Sequence, residues 1–180
     1  MNQREPHVAP IPTYAIKPLV HRLAENAAEK LSFGVGDPIE PLVRRLGGSI
    51  EYKTAHEQPG RLPESIVVRA RNDFTIFVPT MTSPARDRFT IAHELGHLFL
   101  HYPMVIKANP GAVMAATRWV DENDSVQKRA EWEANWFAAA FLMPTESFSE
   151  ALSRWPDNLH RVAAHFAVST SAAEIRKSSL

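Results

Sequence analysis

No cysteine occurs among the 180 residues. A disulfide framework is therefore excluded, and so is any metal site built on thiolates. A bound metal has to be held by histidine, glutamate or aspartate. An excess of one charge is missing too: 20 Lys and Arg offset 20 Asp and Glu, so the formal net charge is +0. That balance argues against a protein that grips polyanions through its overall field. Nor is there a long apolar run. The longest, Trp136 to Pro144, is far too short to span a bilayer, and the polar start MNQREPH carries no signal-peptide core. Together these absences lead us to expect a soluble, cytoplasmic protein with no membrane partner. The length suffices for one domain with a real core.

Residues 1–13 hold Pro6, Pro10 and Pro12 with little periodicity, as an extended arm would. From about Ala15 to Leu31 apolar residues recur at helical spacing, until Gly34 and Gly36 break the pattern. Asp37 and Pro38 then suit the start of a second short helix that ends at Gly47-Gly48. The period changes at SIEYKT, ESIVVRA and DFTIFVP, which are short and β-branched, with Asn72-Asp73 as a tight turn between the last two. A three-stranded, mostly antiparallel sheet is expected. VMAATRWV is a further strand candidate in the stretch 103–123, the hardest to read. Ser83-Pro84 opens a helix that should run to about Tyr102, where Pro103 stops it. Asp124 or Ser125 caps a helix that Pro144 ends and that is apolar on every side from Ala134 onward. Three short helices follow, at about 146–154, 158–167 and 170–177.

The chemistry concentrates in RFTIAHELGHLFLHYP, residues 88–103. His93 and His97 are four apart, which on a helix sets both imidazoles on one face about 6 Å apart along the axis. Two nitrogens can then converge on one ion. Glu94 projects beside them, where it can hold a water and accept its proton. This is the physical content of H-E-x-x-H, two zinc ligands and a general base on one turn. The neighbours Ile91, Ala92, Leu95, Leu98 and Phe99 are apolar, so the cluster is buried and needs partners. His101 continues the spacing but lies about 12 Å from His93 along the axis, too far for one ion to reach both. The spacing that supplies a third histidine in metzincins lands on Pro103. A glutamate on a following helix is the remaining solution, and Glu131 and Glu133 are both available. Periodicity does not separate them.

RFTIAHELGHLFLH followed by EWEANWFAAAFLMP resembles the ImmA/IrrE metallopeptidase family, whose pattern reads roughly R-F-T-x-A-H-E-x-G-H-x-x-x-H, then E-x-E-A-N-x-F-A-x-x-L-x-M-P. Phe141 stands where the family usually has leucine. The resemblance extends over about residues 15–145. It implies an α+β fold, mainly helical, with a small three-stranded sheet and a zincin-like active-site helix. It divides the chain into an arm (1–13), a metallopeptidase domain (14–145) and a C-terminal helical segment (146–180). It further implies zinc held by His93, His97 and Glu133, with Glu94 as the base. The expected activity is an intracellular zinc endopeptidase that cleaves a repressor or antitoxin of the Xre helix-turn-helix type, in a stress response or on a mobile element. A metal-dependent binder that inactivates its repressor without cutting is the alternative.

His101, Tyr102 and His56 are candidates to stabilise a developing oxyanion, and of these we adopt His101 as a catalytic residue. Arg86 and Arg88 can grip a substrate carbonyl or, in the plainer reading, cap carbonyls nearby. The four tryptophans read as core, and 51–65 as a loop over the cleft or a plain connector. An extended peptide could add to the sheet through DFTIFV as an edge strand. LHRVAAHFAVSTSAAEIRKSSL has the outline of a helix-turn-helix, but Glu174, Arg176 and Lys177 make a poor recognition surface. We read the segment as packing helices, with direct nucleic-acid binding unexpected.

Overall fold

The helical period of the first third is realised as two helices. In the computed structural model, which describes residues 7–53, 64–80 and 82–180, Lys17–Lys30 form α1 and Ile39–Arg45 form α2. α1 buries Val20, Ala24 and Ala28, one per turn. Asp37 does not cap α2. Its carboxylate accepts instead from the Gly34 N–H at 2.7 Å, and Pro38 occupies the capping position.

The sheet has four strands rather than three: β1 (Gly48–Lys53), β2 (Glu64–Ala70), β3 (Asp73–Pro79) and β4 (Met114–Thr117), in the order β1-β3-β2-β4. β1 runs parallel to β3, and the other pairs are antiparallel. The additional strand lies within VMAATRWV. It is only four residues, half of them alanine, so it carries little β signal of its own. β3 lies between β1 and β2, so it is interior and not an edge. Its burial pattern, like that of β2, is nearly continuous because both are covered on two faces. The turn between them falls at Arg71-Asn72. Val8 of the arm bridges β4, donating to Val113 O at 2.8 Å and accepting from the Ala115 N–H at 3.0 Å. Residues 1–6 of the expected arm lie outside the described residues.

Pro84–Gly96 form α3, capped by Ser83, whose Oγ accepts from the Arg86 N–H. Pro103 does not end the helical path. A wide turn over His97–His101, in which the Tyr102 N–H reaches back five residues to His97 O, leads into α4 (Tyr102–Ala108). Proline has no N–H for the regular ladder, and the wide turn absorbs that loss.

Asp124 Oδ1 accepts from the N–H groups of Val126 and Gln127 and so starts α5 (Ser125–Leu142). α5 packs between α1 and α3. The approach to α3 is close: a Cβ on Gly96 would stand 3.0 Å from Ala134 Cα and 3.2 Å from Phe137 Cβ. This contact carries α5 side chains up to the histidines.

α6 (Thr145–Arg154), α7 (Leu159–His165) and α8 (Thr170–Lys177) complete the chain. Phe148, Val162 and Phe166 belong to the same core as α1, α3 and the sheet. Arg176, one of three charged candidates for a recognition surface, is 1% exposed. Its Nε donates to Met143 O at 3.0 Å and its Nη2 to Thr145 Oγ1 at 2.9 Å. Buried guanidinium requires such partners, so α8 is fixed to the α5–α6 junction. Among the described residues no helix is long and apolar enough to cross a membrane.

Candidate metal centre

α3 presents His93 and His97 on one face, as their spacing requires, and their Nε2 atoms lie 3.1 Å apart. The carboxylate that meets them is that of Glu131 on α5. Its Oε2 stands 3.1 Å from His93 Nε2 and its Oε1 3.2 Å from His97 Nε2. His93, His97 and Glu131 form a group whose donor atoms all lie within 4.8 Å of one another.

This corrects the ligand set drawn from resemblance, which gave the third position to Glu133. Glu133 points away from the group and is fully buried. Its Oε2 accepts from the Thr13 N–H (2.9 Å) and the Thr13 hydroxyl (2.7 Å) and lies 3.1 Å from His101 Nε2. Its Oε1 accepts from Arg129 Nε at 2.9 Å. The two glutamates differ by two positions, about 200° around a helix, and α5 is covered on both sides. A usable signal was Asn135. It lies one turn after Glu131, and its Oδ1 is 3.0 Å from His93 Nδ1.

His101 also departs from expectation. It is fully buried and stands behind His97, with the two Nδ1 atoms 2.9 Å apart. It does not border the cleft, which has a volume of about 200 Å³ and is lined by Glu94, Ser65, Thr117 and Arg118 together with His93 and Glu131. Tyr102 is buried too, its hydroxyl donating to Arg69 O at 3.1 Å. His56 lies outside the described residues, as does most of the 51–65 loop. Among the described residues, the guanidinium that faces the cleft is that of Arg118, just after β4, with Nη2 donating to Phe77 O at 2.9 Å. Nothing in its sequence context, TRWV, marks it out. Arg88 is buried and donates to Asp37 O, the carbonyl-capping role. Trp136 and Trp155 pack against the core, whereas Trp119 and Trp132 are exposed.

Burial and neighbouring charge divide the titratable groups. Burial pushes the His97 imidazole down to about 3, against the pull of Glu131. Burial also acts on His93, but the Glu131 and Glu94 carboxylates outweigh it and lift that ring to about 9. Glu131 itself is held far below the usual carboxylate range because its two histidine contacts overcome its burial. Glu94, sealed in the cleft wall with Oε2 3.1 Å from Ser65 Oγ, is raised by burial to about 7. The arrangement provides two imidazole nitrogens, a bidentate carboxylate and a carboxyl group poised near neutrality.

A peptidase family model described as the IrrE N-terminal-like domain matches residues 61–178. The chain belongs to the ImmA/IrrE family. Membership suggests a metallopeptidase or a regulator of the IrrE type, and in this ImmA/IrrE chain the His93, His97 and Glu131 group could hold the metal. Among solved structures, a Mycobacterium tuberculosis transcriptional regulator is similar, with a TM-score of 0.59 at 17% identity. The alignment covers 89% of this chain and 46% of that one, so the chain spans about half the length of that relative. At this identity the likeness concerns the fold alone. No curated protein matches.

Proposed function

We propose that the chain is a zinc-dependent endopeptidase whose substrate is a protein, in the first place an Xre-type helix-turn-helix repressor or antitoxin. The observation that carries catalysis is the convergence of His93, His97 and Glu131 at the wall of a cleft that His93, Glu131 and Glu94 line. The donor set suits zinc. It offers imidazole nitrogen and carboxylate oxygen from three residues, leaving a coordination position open, as catalytic sites do. Both imidazoles have their remote nitrogen held, by Asn135 and by His101, which is the usual support for a metal-bound histidine.

When bound, zinc supplies Lewis acidity, lowering the pKa of a coordinated water towards about 7 and polarising a scissile carbonyl. Glu94 handles the proton. Its carboxylate, in the cleft wall beside His93 and Glu131, would accept a proton from the attacking water and return it to the leaving amine. Ser65 orients that carboxylate through Oε2. Arg118 takes the role first given to His101, facing the negative charge that develops on the carbonyl oxygen. An extended substrate would add to β4 at its Thr117 end, which lines the cleft and lies beyond the part of that edge bridged by Val8, rather than to the interior strand β3. The repressor partner is supported by the sequence resemblance.

The test is a fluorescence-quenched peptide library incubated with zinc-loaded wild type and Glu94→Gln, alongside native mass spectrometry of both. Wild type should cleave, and Glu94→Gln should hold one metal and cleave nothing. Equal cleavage by the two proteins sinks the mechanism. No cleavage by a metal-loaded wild type transfers the reading to a binder that inactivates its partner without cutting.

A further inference from the structure

We infer that Thr13, Glu133 and His101 are positioning residues that fix the tautomer of the ligand His97 through a buried chain of hydrogen bonds. This rests on the metal-centre reading above and adds to it how the N-terminal arm acts on the site.

The direction of each bond follows from what each group can do. An ionised carboxylate only accepts. Glu133 Oε2 accepts from the Thr13 N–H and hydroxyl, and Oε1 accepts from Arg129 Nε. His101 Nε2, 3.1 Å from the same Oε2, must therefore carry its proton and donate it. A neutral His101 protonated at Nε2 has only an acceptor left at Nδ1. That acceptor meets His97 Nδ1 at 2.9 Å, so His97 must donate from Nδ1. Its lone pair is then at Nε2, the nitrogen that faces His93 and Glu131. The opposite polarity would set lone pair against lone pair at Glu133, whereas the Nε2 lone pair so placed, 3.2 Å from Glu131 Oε1, is met by a proton on His93 Nε2, which lies 3.1 Å from both His97 Nε2 and Glu131 Oε2. His97, His101 and Glu133 are each 0% exposed, so water cannot substitute for a missing partner.

His93 obtains its orientation locally, from Asn135 on the facing helix. His97 obtains it from residue 13, which is 120 positions from Glu133. The arm is held there by more than Thr13: Gln127 Nε2 donates to Pro10 O at 3.1 Å, and Val8 is bridged to β4. Seating of residues 7–13 and readiness of His97 for metal are thus coupled.

The experiment uses the full chain stripped of metal. Zn²⁺ is titrated against a competing chelator, and ¹⁵N-histidine spectra of the metal-free protein report which ring nitrogen bears the proton. Wild type should show His97 protonated at Nδ1. Glu133→Gln should mix the tautomers and weaken Zn²⁺ binding by about 10- to 100-fold, the usual effect of losing an outer partner. Thr13→Val should weaken it by a smaller factor, and Thr13→Ser, which keeps the hydroxyl, should match wild type. Unchanged affinity and tautomer in both Glu133→Gln and Thr13→Val overturns the proposal while leaving the metal centre intact. If Glu133→Gln does not fold, Thr13→Val decides alone, since that near-isosteric change sits at a half-buried position. A wild type that binds no Zn²⁺, with His93→Ala indistinguishable from it, overturns the metal centre and this proposal together.

Discussion

Glu131 and Glu133 stand two residues apart on α5 and end on different histidines. Glu131 Oε2 lies 3.1 Å from His93 Nε2, and Glu133 Oε2 lies 3.1 Å from His101 Nε2. One carboxylate reaches the cleft and the other is sealed behind it. They fill distinct roles because α5 is covered by α3 on one side and by α1 and the arm on another. Exposure separates them as well: the Glu131 side chain is 28% exposed and that of Glu133 is 0% exposed.

Removing Glu131 should therefore cost more metal than removing Glu133. Glu131→Ala is expected to weaken Zn²⁺ binding by more than about 100-fold, beyond the 10- to 100-fold typical of an outer partner. Competitive titration of both alanine variants reads this directly. Full affinity in Glu131→Ala with loss in Glu133→Ala would return the ligand to Glu133.

Arg118 should affect turnover without affecting metal. Arg118→Gln keeps a polar side chain and is expected to lower kcat by about 100-fold or more, as loss of one group facing a developing oxyanion does. Zn²⁺ affinity should stay at the wild-type value. Unaltered kcat on a cleaved library peptide would remove Arg118 from the mechanism.

The closeness of α3 and α5 can be tested at Gly96. Alanine gains about 1 kcal/mol of helix propensity. Its Cβ, however, would press on Ala134 Cα at 3.0 Å, a backbone atom that cannot yield alone. Overpacking of this kind costs about 1–3 kcal/mol, so the net effect of Gly96→Ala should be a lower denaturant midpoint. Zn²⁺ affinity should fall as well, because Glu131 is carried away from the histidines. A midpoint equal to or above wild type contradicts the packing.

Acid should weaken the contact between α1 and α8 through His21. Burial and the nearby Arg176 and Lys17 lower this imidazole from 6.5 to about 4, opposed by Glu25, and its Nδ1 lies 3.1 Å from Arg176 Nη1. A folded-state pKa below the unfolded one means that the unfolded chain binds more protons between those values. Stability is then retained above pH 6.5 and lost as the pH falls towards 4, with a slope of at most one proton from this residue. His21→Asn, which can still accept from Arg176, should flatten the decline over that window. An identical slope in the variant assigns the acid sensitivity elsewhere.

The sequence by itself determined the parts whose information is local. Spacing of four on an apolar helix was enough to set His93 beside His97 with Glu94 next to them. Ser83-Pro84, Asp124 and Pro144 bounded the two helices that carry the site. The α+β class followed from the change of period at SIEYKT. What only the tertiary structure decided were relations between elements. Two glutamates on a helix buried on both sides have the same local pattern, and only the placement of α3 against one face and the arm against the other separates them. His101 continues the ligand spacing, yet its surroundings come from α5 and not from its own helix. Arg118 follows a four-residue strand whose alanines carry no pattern, and it acquires meaning only where β4 lies along the cleft. Local spacing fixes which side chains share a face. Which neighbour that face meets is set by packing between segments distant in sequence, and that information does not lie in the periodicity of either segment.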